Sequence, residues 1–264
     1  MRLVVKLGGS LLTEPELLHK IVAQLVHLGG CGIQVIVVHG GGKQIKYYLE
    51  QLRITTQLHK GLRVTDTDTM QVVQMVLAGL VNKNIVAAFA NMNRPAVGMC
   101  GADGLSFLAN KYWDPQEAAA PFDYGQVGEI SQGNPALINL LLKHEYFPVI
   151  ACVAIGVDGT YYNINGDEMA AAVAVICHAD QLIFLTDVPG IFDARKQIIP
   201  ELKTDELENL RTQGVISEGM FPKTRACEQA LREGLTKIHI IGGQEQNCLL
   251  RLLVENEKLG TAIY

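Results

Sequence analysis

Two apolar runs, Val4-Val5-Lys6-Leu7 and Ile33 to Val38, end in the glycine clusters Gly8-Gly9 and Gly40-Gly41-Gly42, about one strand–helix–strand unit apart. β-Branched residues at this density favour strand. The second run is apolar without alternation, which suits a parallel strand covered on both faces. Between the runs the pattern is helical. Thr13-Glu14-Pro15-Glu16 fits a capping box with proline in the first turn, Leu17, Leu18, Ile21, Val22, Leu25 and Val26 recur at helical spacing, and Gly29-Gly30 marks a stop. Strand, helix and strand make a crossover unit, so both glycine clusters should lie at one edge of a parallel sheet. Ligands of such sheets bind outside the carboxyl ends of the strands.

Glycine lets backbone amides approach an anion without a Cβ in the way, and Lys6 brings a cation to the same strand end. A phosphate fits that combination. Neither common phosphate fingerprint is present, however: Lys43 is followed by Gln44 where a Walker loop needs Ser or Thr, and Gly-x-Gly-x-x-Gly does not follow the first strand.

Further along, Arg63 falls in a loop ahead of a helix start at Thr65-Asp66-Thr67-Asp68. A guanidinium there can grip a carboxylate through two hydrogen bonds, or simply stay in solvent. Met70, Val73, Val76, Leu77 and Leu80 form an apolar stripe that fits a core or an oligomer seam better than a cofactor site. Ala96–Met99 reads as a short strand, and residues 105–133 as irregular hairpins. Asn134-Pro135 opens a helix, Phe147 to Ile155 reads as one buried strand, and Asp158-Gly159 signals a hairpin. Asn163 and Asn165, on alternate positions of an extended segment, can face one pocket, with Asp167 at the start of an alanine-rich helix. The plainer reading is that they cap that helix, which needs only one of them. Gln181 to Thr186 is a strand ending in Asp187-Val188-Pro189-Gly190-Ile191-Phe192, again at the ligand edge. Helices follow at Thr204 to Gln213 and up to Gly234, with Lys223 near the second start. A strand at Lys237 to Ile241, a helix at Leu249 to Val254 and a closing strand at Gly260 to Ile263 complete the chain.

The 264 residues suffice for one large α/β domain or two lobes, and two lobes within one sheet fit the continuous pattern better than separate domains. Six scattered cysteines with no Cys-x-x-Cys read as thiols of a reducing compartment. No uninterrupted apolar stretch reaches membrane-spanning length and no signal-peptide pattern opens the chain, so a cytoplasmic protein without a membrane partner is expected. A net charge of −5 with both signs interspersed argues against nucleic acid as the main ligand.

Six segments stand in a telling order: Val5-Lys6-Leu7-Gly8-Gly9-Ser10, Val38-His39-Gly40-Gly41-Gly42, Gly61-Leu62-Arg63-Val64-Thr65, Asn163-Ile164-Asn165-Gly166-Asp167, Thr186-Asp187-Val188-Pro189-Gly190-Ile191 and Gly219-Met220-Phe221-Pro222-Lys223. Taken in series they resemble the amino-acid kinase family, over essentially the whole chain. The segment Val72 to Ile85 is similar to the branch acting on N-acetylated acidic amino acids rather than on aspartate, carbamate or UMP.

The resemblance implies a three-layer αβα sandwich with a mostly parallel central sheet. An acyl-amino-acid lobe would span residues 1–175 and an ATP lobe residues 176–264. It implies transfer of a phosphoryl group from ATP, with Mg²⁺ carried by the nucleotide and no metal held by the protein alone, to a side-chain carboxylate. N-acetylglutamate is favoured over N-acetyl-aminoadipate, one methylene longer, and a catalytically silent sensor on the same fold is the rival from another class. Carried across by motif, Lys6 and Lys223 would meet the transition state and Asp167 would hold them. Gly41, Gly42, Arg63 and Asn163 would bind the acid. Gly8, Gly9, Asp187, Val188, Pro189, Gly190, Ile191, Phe192, Val215, Ile216 and Ser217 would border the nucleotide. Ala102 and Lys43 depart from residues common in the family, lysine and proline respectively. Arginine-inhibited members carry an extra helix ahead of the first strand, so the resemblance implies an arginine-insensitive homodimer. It leaves room for a regulatory protein partner.

Overall fold

Lys6 lies on a strand with a parallel neighbour on each side, and the rest of the architecture follows from that placement. The computed structural model describes residues 1–216 and 220–264. In chain order its strands are β1 (Arg2–Leu7), β2 (Gln34–His39), the two-residue β3 (Leu58–His59) and β4 (Leu62–Arg63), β5 (Ala96–Met99), β6 (Phe107–Lys111), β7 (Val127–Gly133), β8 (Phe147–Ala151), β9 (Val153–Ile155), β10 (Tyr161–Ile164), β11 (Gln181–Thr186), β12 (Glu201–Leu202), β13 (Ile238–Gly242) and β14 (Thr261–Ile263). The helices are α1 (Pro15–Gly30), α2 (Gly42–Gln51), α3 (Thr67–Gln74), α4 (Asn82–Ala90), α5 (Ala136–Lys143), α6 (Gly166–Ile176), α7 (Thr204–Thr212), α8 (Phe221–Arg232) and α9 (Cys248–Leu253).

Among the described residues, eight strands form one sheet in the order β12-β14-β13-β11-β1-β2-β8-β5. The pairing is parallel except between β13 and β14. Parallel strands covered on both faces must be apolar throughout, and β1, β2, β8, β11 and β13 are buried almost end to end. Helix α1 lays Leu18, Ile21, Val22, Leu25 and Leu28 into the core, each contributing roughly 1.5–3 kcal/mol of transfer free energy. Helix α6 approaches β1 and β11 through a face of small residues, Ala170, Ala171 and Ala174.

Several local expectations change in the folded chain. Helix α1 starts at Pro15 with Glu14 as the N-cap and no side-chain cap, because proline already fits the first helical position. It ends at Gly30, as the glycine pair signals, and the chain turns away at Gly32, which takes a left-handed φ of 79°. The stretch Phe147 to Ile155 breaks at Cys152 into two strands that serve different sheets. Its second piece, β9, closes a ring with β10, β7 and β6, so residues 105–133 carry regular strands rather than irregular hairpins. The hairpin at Asp158-Gly159 does join β9 to β10, with Gly159 at φ 84°.

Helix α3 continues through π-helical turns (Met75–Val81) into α4, giving one 24-residue helix, Thr67–Ala90. By length and composition alone it could cross a membrane. Here its buried side chains pack against α1, α2, β5 and β8, as a core helix does.

Candidate active site

The register of three strands brings the site together. Lys6 is level with Val38 of β2 and Phe184 of β11, so the chain leaves β1 at Gly8, β2 at Gly40 and β11 at Asp187 side by side. The Gly8 amide donates to the Leu185 carbonyl at 2.8 Å, locking the β1 exit against β11. A Cβ at Gly8 would sit 2.9 Å from that oxygen, so glycine is what permits the approach.

Behind these exits stands α6. Asn165 caps it, its Oδ1 accepting from the amides of Asp167 and Glu168 at 2.8 and 3.3 Å. Asp167 therefore projects from the first turn, where Lys6 Nζ meets its Oδ1 at 2.8 Å. Lys223, in the first turn of α8, reaches the same oxygen at 2.9 Å. All three side chains are nearly enclosed, with 8–14% of their surface exposed. The Lys223 ammonium also lies 4.6 Å from the centre of the Phe184 ring, within reach of a cation–π attraction. Burial pushes the Asp167 carboxyl up, but the charges of Lys6 and Lys223 outweigh it and leave the group at about 2. Burial pulls Lys223 below the ordinary lysine value, with Asp167 opposing that pull and Lys6 adding to it. A lysine at a helix N-terminus is unfavourable against the dipole, and Asp167 is the anion that compensates.

Two cavities flank this cluster. One, of about 190 Å³, is lined by Gly41, Gly42, Arg63, Asn163, Asn165 and Gly166, among others. Arg63 comes from the short strand β4 rather than a loop, and its Nη2 donates to the Gly42 carbonyl at 3.3 Å. Asn163 Nδ2 donates to Thr65 Oγ1 at 3.2 Å, and that hydroxyl donates to the Arg63 carbonyl at 2.7 Å. Both asparagines thus line one pocket, while only Asn165 caps. The other cavity, of about 460 Å³, is bordered by Val188, Gly190, Ile191, Phe192, Val215 and Ile216. Asp187 and Pro189 belong to the same turn but not to that lining. Ser217 lies outside the described residues. Gly8 and Gly9 lead from β1 into a short 3₁₀ turn (Gly9–Leu12).

The folded chain adds Phe184 to the residues singled out above and settles Asn165 as both cap and pocket lining. Asn165 was visible as a candidate cap. Phe184 joins Lys223 only through strand pairing, which has no local signal. The site offers ammonium groups, a guanidinium and backbone amides. The buried histidines, His39 and His239, are both lowered to about 4, chiefly by burial, and stay neutral near pH 7. The inventory is suited to gathering anions and stabilising developing negative charge rather than to removing a proton.

Comparison with known proteins agrees with this geometry. The model of the amino acid kinase family matches residues 1–242. The acetylglutamate kinase of Acidobacterium capsulatum is 41% identical over 263 residues, spanning 100% of this chain and 99% of its own. That of Clostridioides difficile is 39% identical over 264 residues, spanning 99% and 90%. Among solved structures, N-acetylglutamate synthase from Neisseria gonorrhoeae, complexed with coenzyme A and N-acetyl-glutamate, gives a TM-score of 0.86 at 24% identity. The match takes in 99% of this chain and 59% of the synthase's length. Carbamate kinase from Giardia lamblia bound to AMP-PNP gives 0.69 at 17% identity, over 99% and 97% of the two chains. At these identities the structural likeness is one of fold.

Proposed function

The chain belongs to the amino acid kinase family, and from that premise we propose that it transfers the γ-phosphoryl group of ATP to the side-chain carboxylate of N-acetylglutamate, giving an acyl phosphate. The observation that carries the reading is the convergence of Lys6 and Lys223 on one oxygen of Asp167. Lys6 belongs to the strand between those that exit at Gly40 and Asp187. On this reading the acid occupies the cavity of Gly41, Gly42, Arg63 and Asn163, with Arg63 on a carboxylate. The nucleotide takes the cavity bordered by Val188, Gly190, Ile191, Phe192, Val215 and Ile216, with Asp187 and Pro189 in the adjoining turn; Ser217 is assigned to it by motif alone. Residues 1–175 form the acyl-amino-acid lobe and 176–264 the nucleotide lobe.

The chemistry follows from charge. A side-chain carboxylate, with an ordinary pKa of about 4.3, is already ionised at neutral pH, so no general base is required. Its approach to a phosphoryl group is resisted by like charge, and the transition state spreads negative charge over the transferring oxygens. Lys6, Lys223 and the amides of Gly9 and Gly41 oppose that charge from fixed positions, whereas the Gly8 amide is already committed to the Leu185 carbonyl. Asp167 keeps two ammonium groups together that would otherwise repel, and it is itself kept ionised by them. Among the described residues no three His, Cys, Asp or Glu side chains form a metal-binding group, and Mg²⁺ on this reading arrives with the nucleotide. When bound it would supply positive charge against the phosphates, beside that of Lys6 and Lys223.

The reading extends to a homodimer in the cytoplasm. Met75 and Leu80, exposed on the apolar π-helical stretch Met75–Val81, are side chains a second copy would cover, and the described cysteines are free thiols. The test is a hydroxylamine trap with MgATP and either N-acetylglutamate or N-acetyl-aminoadipate. Hydroxamate should form faster with the shorter acid, although one methylene is worth only about 1–3 kcal/mol, and should form about 100-fold more slowly in folded Lys6→Ala protein. No hydroxamate with either acid would favour a silent sensor instead.

A further inference from the structure

His39, the last residue of β2, is fully buried beside the glycine cluster. Its Nδ1 lies 2.9 Å from the Gly40 carbonyl oxygen. A carbonyl only accepts, so Nδ1 carries the proton. Its Nε2 lies 3.1 Å from Asn82 Nδ2, and the same amide nitrogen donates to the Val149 carbonyl at 2.9 Å. Nε2 is therefore the acceptor. Asn82 in turn is held: its Oδ1 accepts from Lys83 Nζ at 3.1 Å, and Lys83 also donates to the Gly98 carbonyl at 3.0 Å. A Cβ on Gly98 would fall 1.7 Å from Asn82 Oδ1, so β5 leaves room for this string of contacts only by having no side chain there. Burial, opposed by the Gly40 carbonyl and reinforced by Lys83, lowers the imidazole to about 4. The ring is thus neutral, with one tautomer specified from both sides.

This string has a consequence for the cleft. In a planar trans peptide the carbonyl and the next amide N–H point in opposite directions. With the Gly40 carbonyl drawn toward the buried imidazole, the Gly41 N–H is turned away from the core, on the residue that lines the acyl-side cavity. We propose that His39, oriented by Asn82, is a positioning residue that sets the Gly40–Gly41 peptide so that the Gly41 amide donates into the cleft. The inference rests on the kinase reading above. His39 itself touches no substrate; it acts through the peptide it holds.

The experiment has a spectroscopic arm and a kinetic arm. Histidine-labelled protein observed by two-bond proton–nitrogen NMR should show His39 as the neutral Nδ1–H tautomer from pH 6 to pH 8. An Nε2–H tautomer or an imidazolium would overturn the proposal. In steady-state kinetics, His39→Leu should lower kcat roughly 10- to 100-fold, less than the roughly 100- to 1,000-fold cost of removing such a donor outright. KM for both substrates should stay within about 3-fold, because the interaction strengthens in the transition state. His39→Asn, whose amide can replace Nδ1 as donor, should recover much of the loss. A kcat close to wild type in His39→Leu, or a rise in KM in place of the fall in kcat, would overturn it. Should that variant not fold, Gly98→Ala displaces Asn82 from outside, and an unchanged kcat there would be equally fatal. A wild-type protein without kinase turnover would strike the parent reading and this one with it, before any variant is made.

Discussion

Asp167 meets Lys6 and Lys223 at 2.8 and 2.9 Å, whereas Glu168, the next residue in the same helical turn, faces a cavity of about 430 Å³ shared with Tyr112, Glu129 and Arg225. Both carboxyls lose water on folding. Only Asp167 is given two ammonium groups within 3 Å in return, and it settles at about 2. Burial first, then the charges of Glu129 and Asp167, raises the other to about 7 against a weaker pull from Arg225. Two adjacent acids thus differ in charge state because of what each side of α6 confronts, and residue type alone would have assigned them the same role.

The widest break in that contrast is Asp167→Asn. It leaves two ammonium groups without their shared anion. A loss of about 1,000-fold in kcat and about 3 kcal/mol in stability is expected, read by hydroxamate formation and by urea unfolding. Lys6→Ala and Lys223→Ala should each cost about 100-fold in kcat, or about 3 kcal/mol. Because both act on one oxygen, the double variant should fall short of the product of the singles.

The pH dependence of stability separates the two acids more finely. The folded pKa of Asp167, about 2, lies below its ordinary 3.8, so its contribution is complete above pH 4 and disappears as pH falls through 2. It amounts to about 2 kcal/mol. Glu168 runs the opposite way: its folded value of about 7 lies above the ordinary 4.5, so its contribution is full below pH 4.5 and is lost as pH rises through 7. The smallest effect on turnover follows. Glu168→Gln should flatten the stability curve between those two values in urea titrations while leaving kcat within about 2-fold. A Glu168→Gln curve as steep as wild type would erase the contrast.

Most of the sheet and much of the site could be read from residues. The β1 and β2 exits were legible because β-branched runs stop abruptly at glycine, and Asp66 caps α3 where its neighbours announced a helix, accepting from the Thr69 amide at 2.8 Å. What escaped depends on partners far along the chain. Cys152 interrupts an apolar run without any turn residue, and only the closed ring of β10, β7, β6 and β9 explains the break. The π-helical turns at Met75–Val81 have no distinctive composition. Thr13 had the features of a cap, yet Pro15 moved the helix start one residue on. Local chemistry marked Lys6, Asp167 and Lys223 as candidates; their meeting required the strand order.

That meeting also has a temporal side. The three charges sit at positions 6, 167 and 223, so a chain emerging from the ribosome carries the first cation long before its counterion and the second cation later still. Until α8 has emerged and docked, the nascent protein lacks one of the two ammonium groups that meet Asp167, and on the proposed reading activity is withheld until most of the molecule has been made.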